Sequence, residues 1–329
     1  IMPSLVGSEM CIRDSPRLAR TRAPMSRYRP NAPPARQGVS ASCVVLPADA
    51  GPTLLDFFAR RFPAVSRDDW ATRMAAGDVV DAEGRLARAE DRPTQGRRLY
   101  YYRTLAHEPH IPFEANVLWQ DSELLVVDKP HFLPVIPSGK YVQQTLLVRL
   151  KAQLGLEQLS PIHRIDRDTA GLVLFSVNPA TRGAYQALFR DRVVDKTYEC
   201  VARWAPALPW PIHRESRIAE AAHFMQQAEV PGPVNAITDI APLDVLGDWA
   251  RYALHPLTGQ RHQLRVHMAA LGLPIAFDGI YPVLTPEGEF DYDRPLQLLA
   301  RAIRFVDPLS GEERRFTSQR NLLPLQNFQ

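Results

Sequence analysis

Cysteine is scarce: only Cys11, Cys43 and Cys200 occur in 329 residues. Their wide separation fits neither a disulfide framework nor a CxxC metal site, so a reducing, cytoplasmic setting is expected. Long apolar runs are missing too. None approaches the roughly 20 residues that a membrane-spanning helix requires, and the start lacks the apolar stretch of a signal peptide. Charge of one sign is also in short supply. The net charge is +3, so any surface for a polyanion must be local. There is no glycine-rich phosphate loop. The P-C-x-x-C half of a zinc deaminase signature is absent, which argues against base deamination.

What remains is globular material: 45% hydrophobic and 23% charged residues, enough for one large domain with a small one beside it. Residues 3–15, "PSLVGSEMCIRDS", resemble translated sequencing-adapter read-through, so residues 1–24 are set aside and Met25 is the expected natural start. Residues 25–52 are rich in Arg and Pro without periodicity and are expected to be disordered. Residues 53–103 read as a small α+β unit: Leu54, Leu55, Phe58 and Phe62 at helical spacing, a second helix capped by Ser66 and ending at Gly77, then Val79, Val80 and a turn at Gly84. Residues 104–113 read as a linker, 114–320 as the main body and 321–329 as a tail.

In the main body, strands are expected at "ELLVVDKP", "GLVLFSV" and "KTYECVAR", and hairpins around Gly247-Asp248 and around Pro308 to Gly311. Helices are expected at "TLLVRLKAQLG", at "NPATRGAYQALF" with Asn178 as N-cap and Pro179 in its first turn, and at "RHQLRVHMAALG". The irregular alternation predicts α+β with a mixed, mainly antiparallel sheet flanked by helices and loops.

Three stretches could carry chemistry. In "HRIDRDTAGLVLF", residues 163–175, five charged or chargeable groups precede a buried strand, which is where rigid scaffolds present functional side chains. Arg164 and Arg167 flank Asp166, and a carboxylate near arginines is held ionised, as a nucleophile or base requires. The plain alternative is a polar surface turn. In "HPLTGQRHQLRVH", residues 255–267, Arg261 and Arg265 at i,i+4 would share a helix face, with His262 and Gln263 beside them. His255, His262 and His267 match no defensible zinc spacing. In "DKTYEC", Lys196 and Tyr198 lie on one strand face and offer a cation and a flat ring, a pair that holds a nucleobase well and that ordinary half-buried strands also contain.

Together these stretches resemble the RluA-type pseudouridine synthases. "HRIDRDTAGLVLF" is similar to that family's HRLDRxTSGLLLFA, "KTYEC" to KxYxA/V, "GQRHQLRVHM" to GRTHQIRVHM, and "LLVVDKPHFLPVIPSG" to its preceding Lys-Pro stretch, over roughly residues 114–320. Ile165 and Ala170 replace Leu and Ser, and Leu299 stands where the family usually has His. The small unit loosely resembles the S4-like RNA-binding module that often precedes this catalytic domain; a plain packing adaptor is the alternative.

The resemblance implies isomerisation of uridine to pseudouridine in structured RNA, rRNA or tRNA. It implies no cofactor, no metal and no membrane partner, and a monomer is expected. It implies catalytic roles for Asp166, Arg265 as its ion-pair partner and Tyr198 stacked on the uracil. Arg164 would fill the space of the flipped nucleotide or brace its loop. Arg167, Lys196, Arg261, His262 and Gln263 are expected to hold RNA. A non-catalytic RNA-binding protein on the same fold is the rival reading.

Overall fold

The computed structural model describes residues 33–103, 105, 108–285 and 291–329; the adapter-like segment, Met25 and Cys11 lie outside them. The chain divides into two units, one of residues 1–110 with 136–157, the other of 111–135 with 158–329.

In the first unit a three-stranded antiparallel sheet runs β1 (Ser42–Val45), β3 (Arg98–Tyr101), β2 (Val79–Asp81). Helices α1 (Leu54–Arg61) and α2 (Arg67–Ala75) start where Thr53 Oγ1 accepts the Asp56 N–H and Ser66 Oγ accepts the Asp69 N–H. Phe57, Phe58, Trp70 and Met74 bury against Val79, Leu99 and Tyr101. Strand β1 corrects the expectation of disorder over 25–52: Val39, Ala41 and Leu46 are buried, so apolar residues among the prolines supply a strand and part of a core. Residues 25–32 lie outside the described residues.

The unit also holds helix α3 (Leu146–Leu154), stopped at Gly155 in the left-handed region. This corrects the expectation that 114–320 is one body. Val148 and Val142 pack with Val39, and Lys151 donates to Ser40 Oγ. The expected linker is structural as well. The Glu108 carboxylate accepts the N–H groups of Val142, Gln143 and Gln144, in the stretch that leads into α3.

The second unit is built on a 10-stranded sheet. Its strands are β4 (Asn116–Gln120), β5 (Leu124–Lys129), β6 (Ser160–Pro161), β7 (Ala170–Ser176), β8 (Asp195–Arg203), β9 (Ile212–Ser216), β12 (Ala236–Leu246), β13 (Trp249–Pro256), β14 (Leu298–Val306) and β15 (Glu313–Thr317). A separate hairpin joins β10 (Ile218–Glu220) to β11 (Gln227–Glu229). Helices α4 (Arg182–Arg190) and α5 (Gln263–Ala270) complete the unit. The main order is β4-β5-β7-β14-β8-β13-β12-β9, antiparallel except for the parallel pair β7–β14. The sheet is thus mixed and mainly antiparallel, as expected.

The register at its centre positions the site. Ala300 of β14 lies opposite Gly171 of β7 on one side and Tyr198 of β8 on the other. The charged loop that enters β7 therefore ends one strand away from Tyr198. Two details differ from expectation. Asn178 and Pro179 form a turn in which Asn178 Oδ1 accepts the Ala180 N–H, so α4 starts only after Thr181. Residues 321–329 are not a loose tail: Leu322 and Leu325 bury against Ala170, Val201 and Leu299.

Candidate active site

Asp166 sits on the loop between β6 and β7 with its carboxylate 27% exposed. Its charge partner comes from far along the chain. Arg265, in α5 and only 2% exposed, points Nη1 at Asp166 Oδ2 across 3.3 Å. Its Nε and Nη2 are taken by Asp278, at 2.8 and 2.6 Å, in a parallel two-bond fork. Asp278 is itself fixed, because Oδ1 also accepts the N–H groups of Ile280 and Tyr281. Burial opposes the Arg265 charge, but the Asp278 bonds and the charges of Asp278 and Asp166 outweigh it and raise its pKa. The result is a locked cation with one donor turned to a half-open carboxylate.

His262 completes the surroundings. It adopts a left-handed backbone at φ 57° just ahead of α5, a conformation uncommon outside glycine and frequent at functional sites. Phe277, directly before Asp278, has φ 60°. His262 Nε2 lies 3.8 Å from Asp166 Oδ1, and Nδ1 is 3.0 Å from the Tyr281 hydroxyl. Burial lowers its pKa, only partly offset by Asp166. Tyr198 is half-buried and lines a small cleft with His163, Leu172, Lys196, Ala300 and Ile303. Burial, then the Asp166 charge, pushes its phenol well up, so the ring stays neutral.

The structure brings Asp166, Arg265, His262 and Tyr198 together and disperses other expected residues. Arg167 forks onto the carboxylate of its sequence neighbour Asp168 at 2.8 and 3.1 Å. Arg164 is exposed, with no hydrogen bond or ion pair to the described residues. Lys196 donates to the Thr258 carbonyl at 3.0 Å, and burial with the Arg192 charge pulls its ammonium down to about 8. Gln263 is buried and hydrogen-bonded with Thr258, Gln260, Ile237 and Thr238, so it braces the chain ahead of α5. Arg261 precedes α5 and does not share a face with Arg265; it donates to the carbonyls of Phe224 and Met225. His255 and His267 turn to other partners, Thr197 for the first and Thr238 with Ser216 for the second. Among the described residues no group of three His, Cys, Asp or Glu side chains could hold a metal ion.

Two functional residues escaped the sequence reading. Asp278, in "AFDGIYP", fixes Arg265. Lys129 is fully buried, and its Nζ donates at 2.9 Å to the carbonyls of Pro130, Leu133 and Arg167. It ties β5 to the Asp166 loop. Burial pulls this ammonium down to about 7 against the opposing pull of Asp168 and Asp166. The one available signal was an Asp-Lys-Pro at the end of an apolar strand, where a buried charge demands partners.

The chain is similar to proteins already known. Residues 123–270 match the family described as RNA pseudouridylate synthase. An RNA pseudouridine synthase of Synechocystis is 30% identical over 234 residues, 69% of this chain and 79% of the relative. The tRNA pseudouridine synthase C of Vibrio parahaemolyticus is 31% identical over 221 residues, 61% of this chain and 89% of the relative. Among solved structures, human RNA pseudouridylate synthase domain containing 1 superposes with a TM-score of 0.53 at 21% identity, over 68% of this chain and 96% of that one. The chain belongs to the RluA-type RNA pseudouridine synthases, isomerases that convert uridine in RNA to pseudouridine.

Proposed function

We propose that this protein isomerises a specific uridine in tRNA or rRNA with the ionised Asp166 carboxylate acting at the ribose. The observation that carries the reading is the Asp166 carboxylate, part exposed, beside a guanidinium whose other donors are locked on Asp278. In this reaction the C1′–N1 bond breaks, the uracil turns, C5 bonds to C1′, and the C5 proton leaves while N1 gains one. Atoms and electrons balance without a redox partner or group donor. Asp166 either attacks C1′, as a retaining glycosidase nucleophile does, or removes the 2′ proton. Either role uses the anion, toward which Arg265 points Nη1. Tyr198 stacks on the uracil with its phenol kept neutral by burial. A paired or stacked uridine must first be turned out, at a cost of a few kcal/mol.

Asp166→Asn tests the assignment, being nearly isosteric. RNA affinity should stay within a few-fold, and tritium release from unmodified tRNA labelled at uracil C5 should vanish. Turnover above about a hundredth of the wild-type rate, a barrier change under about 2.7 kcal/mol, removes Asp166 from the reaction. The name of the Vibrio relative makes tRNA the first substrate to try.

The first unit we assign to RNA affinity, in the manner of an S4-like module. Its two helices over a small antiparallel sheet and its exposed Arg60, Arg61 and Arg98 support this. Changing those three to Gln should flatten the plot of log affinity against log salt by about 2–3 units, at roughly 0.7–0.9 per lost phosphate contact. Equal slopes would leave the unit a packing element.

A further inference from the structure

The hairpin β10–β11 carries an aromatic pair that the reaction, as derived, does not use. Its tip, residues 221–226, is held from several sides. The Met225 side chain packs with Ile218, Val266, Ile280 and Tyr281. Gln226 Nε2 donates to the Ile280 carbonyl at 2.7 Å. Arg261 donates Nη1 to the Phe224 carbonyl at 3.1 Å and Nη2 to the Met225 carbonyl at 3.3 Å. His223 is oriented by the Met225 N–H, which reaches its Nδ1 at 3.3 Å, and its ring lies 4.8 Å from that of Phe224. So fixed a backbone would ordinarily turn its largest apolar side chain inward. Instead Phe224 is 55% exposed, with the exposed His223 beside it.

The tip is also wired to the reactive carboxylate. The Gln227 N–H donates to the Tyr281 hydroxyl at 2.7 Å, that hydroxyl meets His262 Nδ1 at 3.0 Å, and His262 Nε2 lies 3.8 Å from Asp166. Arg261, which caps the tip, is the residue directly before His262. It also stands where the family motif GRTHQ has threonine, whose short side chain cannot make that reach.

We propose that Phe224, with His223 behind it, stacks on an unpaired base of the RNA next to the extruded uridine, and that Arg261 is the positioning residue that presents it. The proposal rests on the RNA-isomerase reading above. An exposed ring on a rigid tip suits a nucleobase because every base has a π-face, and a ring fixed in advance loses little freedom on binding. A stack at this place selects where the uridine sits relative to its neighbours and so contributes to choice of site.

The test is direct binding to the full-length Asp166→Asn protein, which keeps substrate from turning over. The probe is a nine-nucleotide oligouridylate with one 2-aminopurine moved through its positions, whose fluorescence is quenched when it stacks. At one position binding should quench it. Adding Phe224→Ala or the bulkier Phe224→Leu should abolish that quench and weaken binding about 5- to 150-fold, the loss of one base–aromatic stack. Phe224→Trp should restore both. Arg261→Thr should weaken binding too, and Phe224→Ala should then cost less than it does with Arg261 in place. A quench and affinity unchanged in both Phe224→Ala and Phe224→Leu would overturn the proposal, as would loss of affinity in Phe224→Trp equal to that in Phe224→Ala. If the wild-type enzyme makes no pseudouridine in unmodified tRNA or rRNA while the quench still depends on Phe224, the enzymatic reading fails and the stacking site stands.

Discussion

Arg265 divides its guanidinium between two carboxylates, and the division is unequal. Two nitrogens lie on Asp278 and one on Asp166. The buried pair with Asp278 has no exposed surface on the carboxylate side, so removing one partner leaves an uncompensated buried charge. Asp278→Asn should lower unfolding free energy by about 3–5 kcal/mol. It should also lower kcat by about 10- to 100-fold, because the donor aimed at Asp166 loses its anchor and a charge-assisted bond is worth about 1.5–3 kcal/mol. Urea unfolding and single-turnover rates measure the two; lost stability with kcat intact would reduce Asp278 to a structural role. Asp166, Tyr198 and Arg265 were legible in the sequence because each stands in a short local motif. Asp278 was not, being one of 36 acidic residues and set apart from its partner by a turn of chain. The partner that the resemblance implied for Asp166, Arg265, does lie against it, whereas the arginines beside it in sequence fared differently. Sequence neighbours were expected to pair, but a loop sends adjacent side chains in different directions, and Arg167 went to Asp168.

At the scale of elements, the approach of β7 to β14 is the tightest constraint near the site. Gly171 has φ +107°, and a Cβ there would lie 2.3 Å from the Ala300 carbonyl oxygen. No small shift relieves a clash with backbone on a central strand. Gly171→Ala should therefore destabilise by about 2–6 kcal/mol, the sum of left-handed strain and overpacking at about 1–3 kcal/mol each. It should also reduce kcat, since Ala300 aligns Gly171 with Tyr198. A stable variant with normal turnover would show that the loop tolerates a wider gap between the strands. Elements with strong local signals were readable: the all-buried β7, the β12–β13 hairpin turning at Gly247-Asp248 with Leu246 opposite Trp249, and α2 behind its Ser66 cap. Strand β1 was missed because proline and arginine around it hide a short apolar run whose partner, β3, lies some fifty residues on. The start of α4 was misplaced because Asn-Pro serves turns as readily as helix starts.

Across the whole molecule, sequence order conceals how the units are composed. Residues 136–157 interrupt the enzyme-like segment yet pack with Val39 and hydrogen-bond to Ser40; nothing in their own amphipathic pattern names that partner. A truncation near His110 would thus strip α3 of its support, so substitutions in the intact chain are the sounder probe. The second unit has a distinct response to acid. Burial holds three of its histidines neutral: His131 and His267 are pulled down to about 4 and His163 to about 3. Each ring is used in that form, His163 Nε2 accepting the Leu174 N–H, His131 meeting the Asp168 carbonyl, and His267 lying between Thr238 and Ser216. In the unfolded chain a histidine takes up its proton near pH 6.5. Between about pH 6 and 4 the unfolded state therefore binds more protons than the native one. Stability should fall as pH falls through that window, by at most about 4 kcal/mol per pH unit for three rings, and level off as the native rings protonate. His262, lowered in the same direction, adds to the slope. Exposed His213 works oppositely: Asp239 and Glu215 raise its pKa, so its contribution is complete below about pH 6.5 and is lost only as pH rises. The lowered Asp81, Asp121 and Asp168 act as pH drops through about 3.8 and beyond, below the window. Urea unfolding at pH 6.5, 5.5 and 4.5 should yield an uptake approaching three protons on unfolding, and His267→Asn should remove about one of them. An uptake below one proton would mean that the native rings already carry their charge, and that the hydrogen bonds assigned to the neutral forms are not the ones the protein uses.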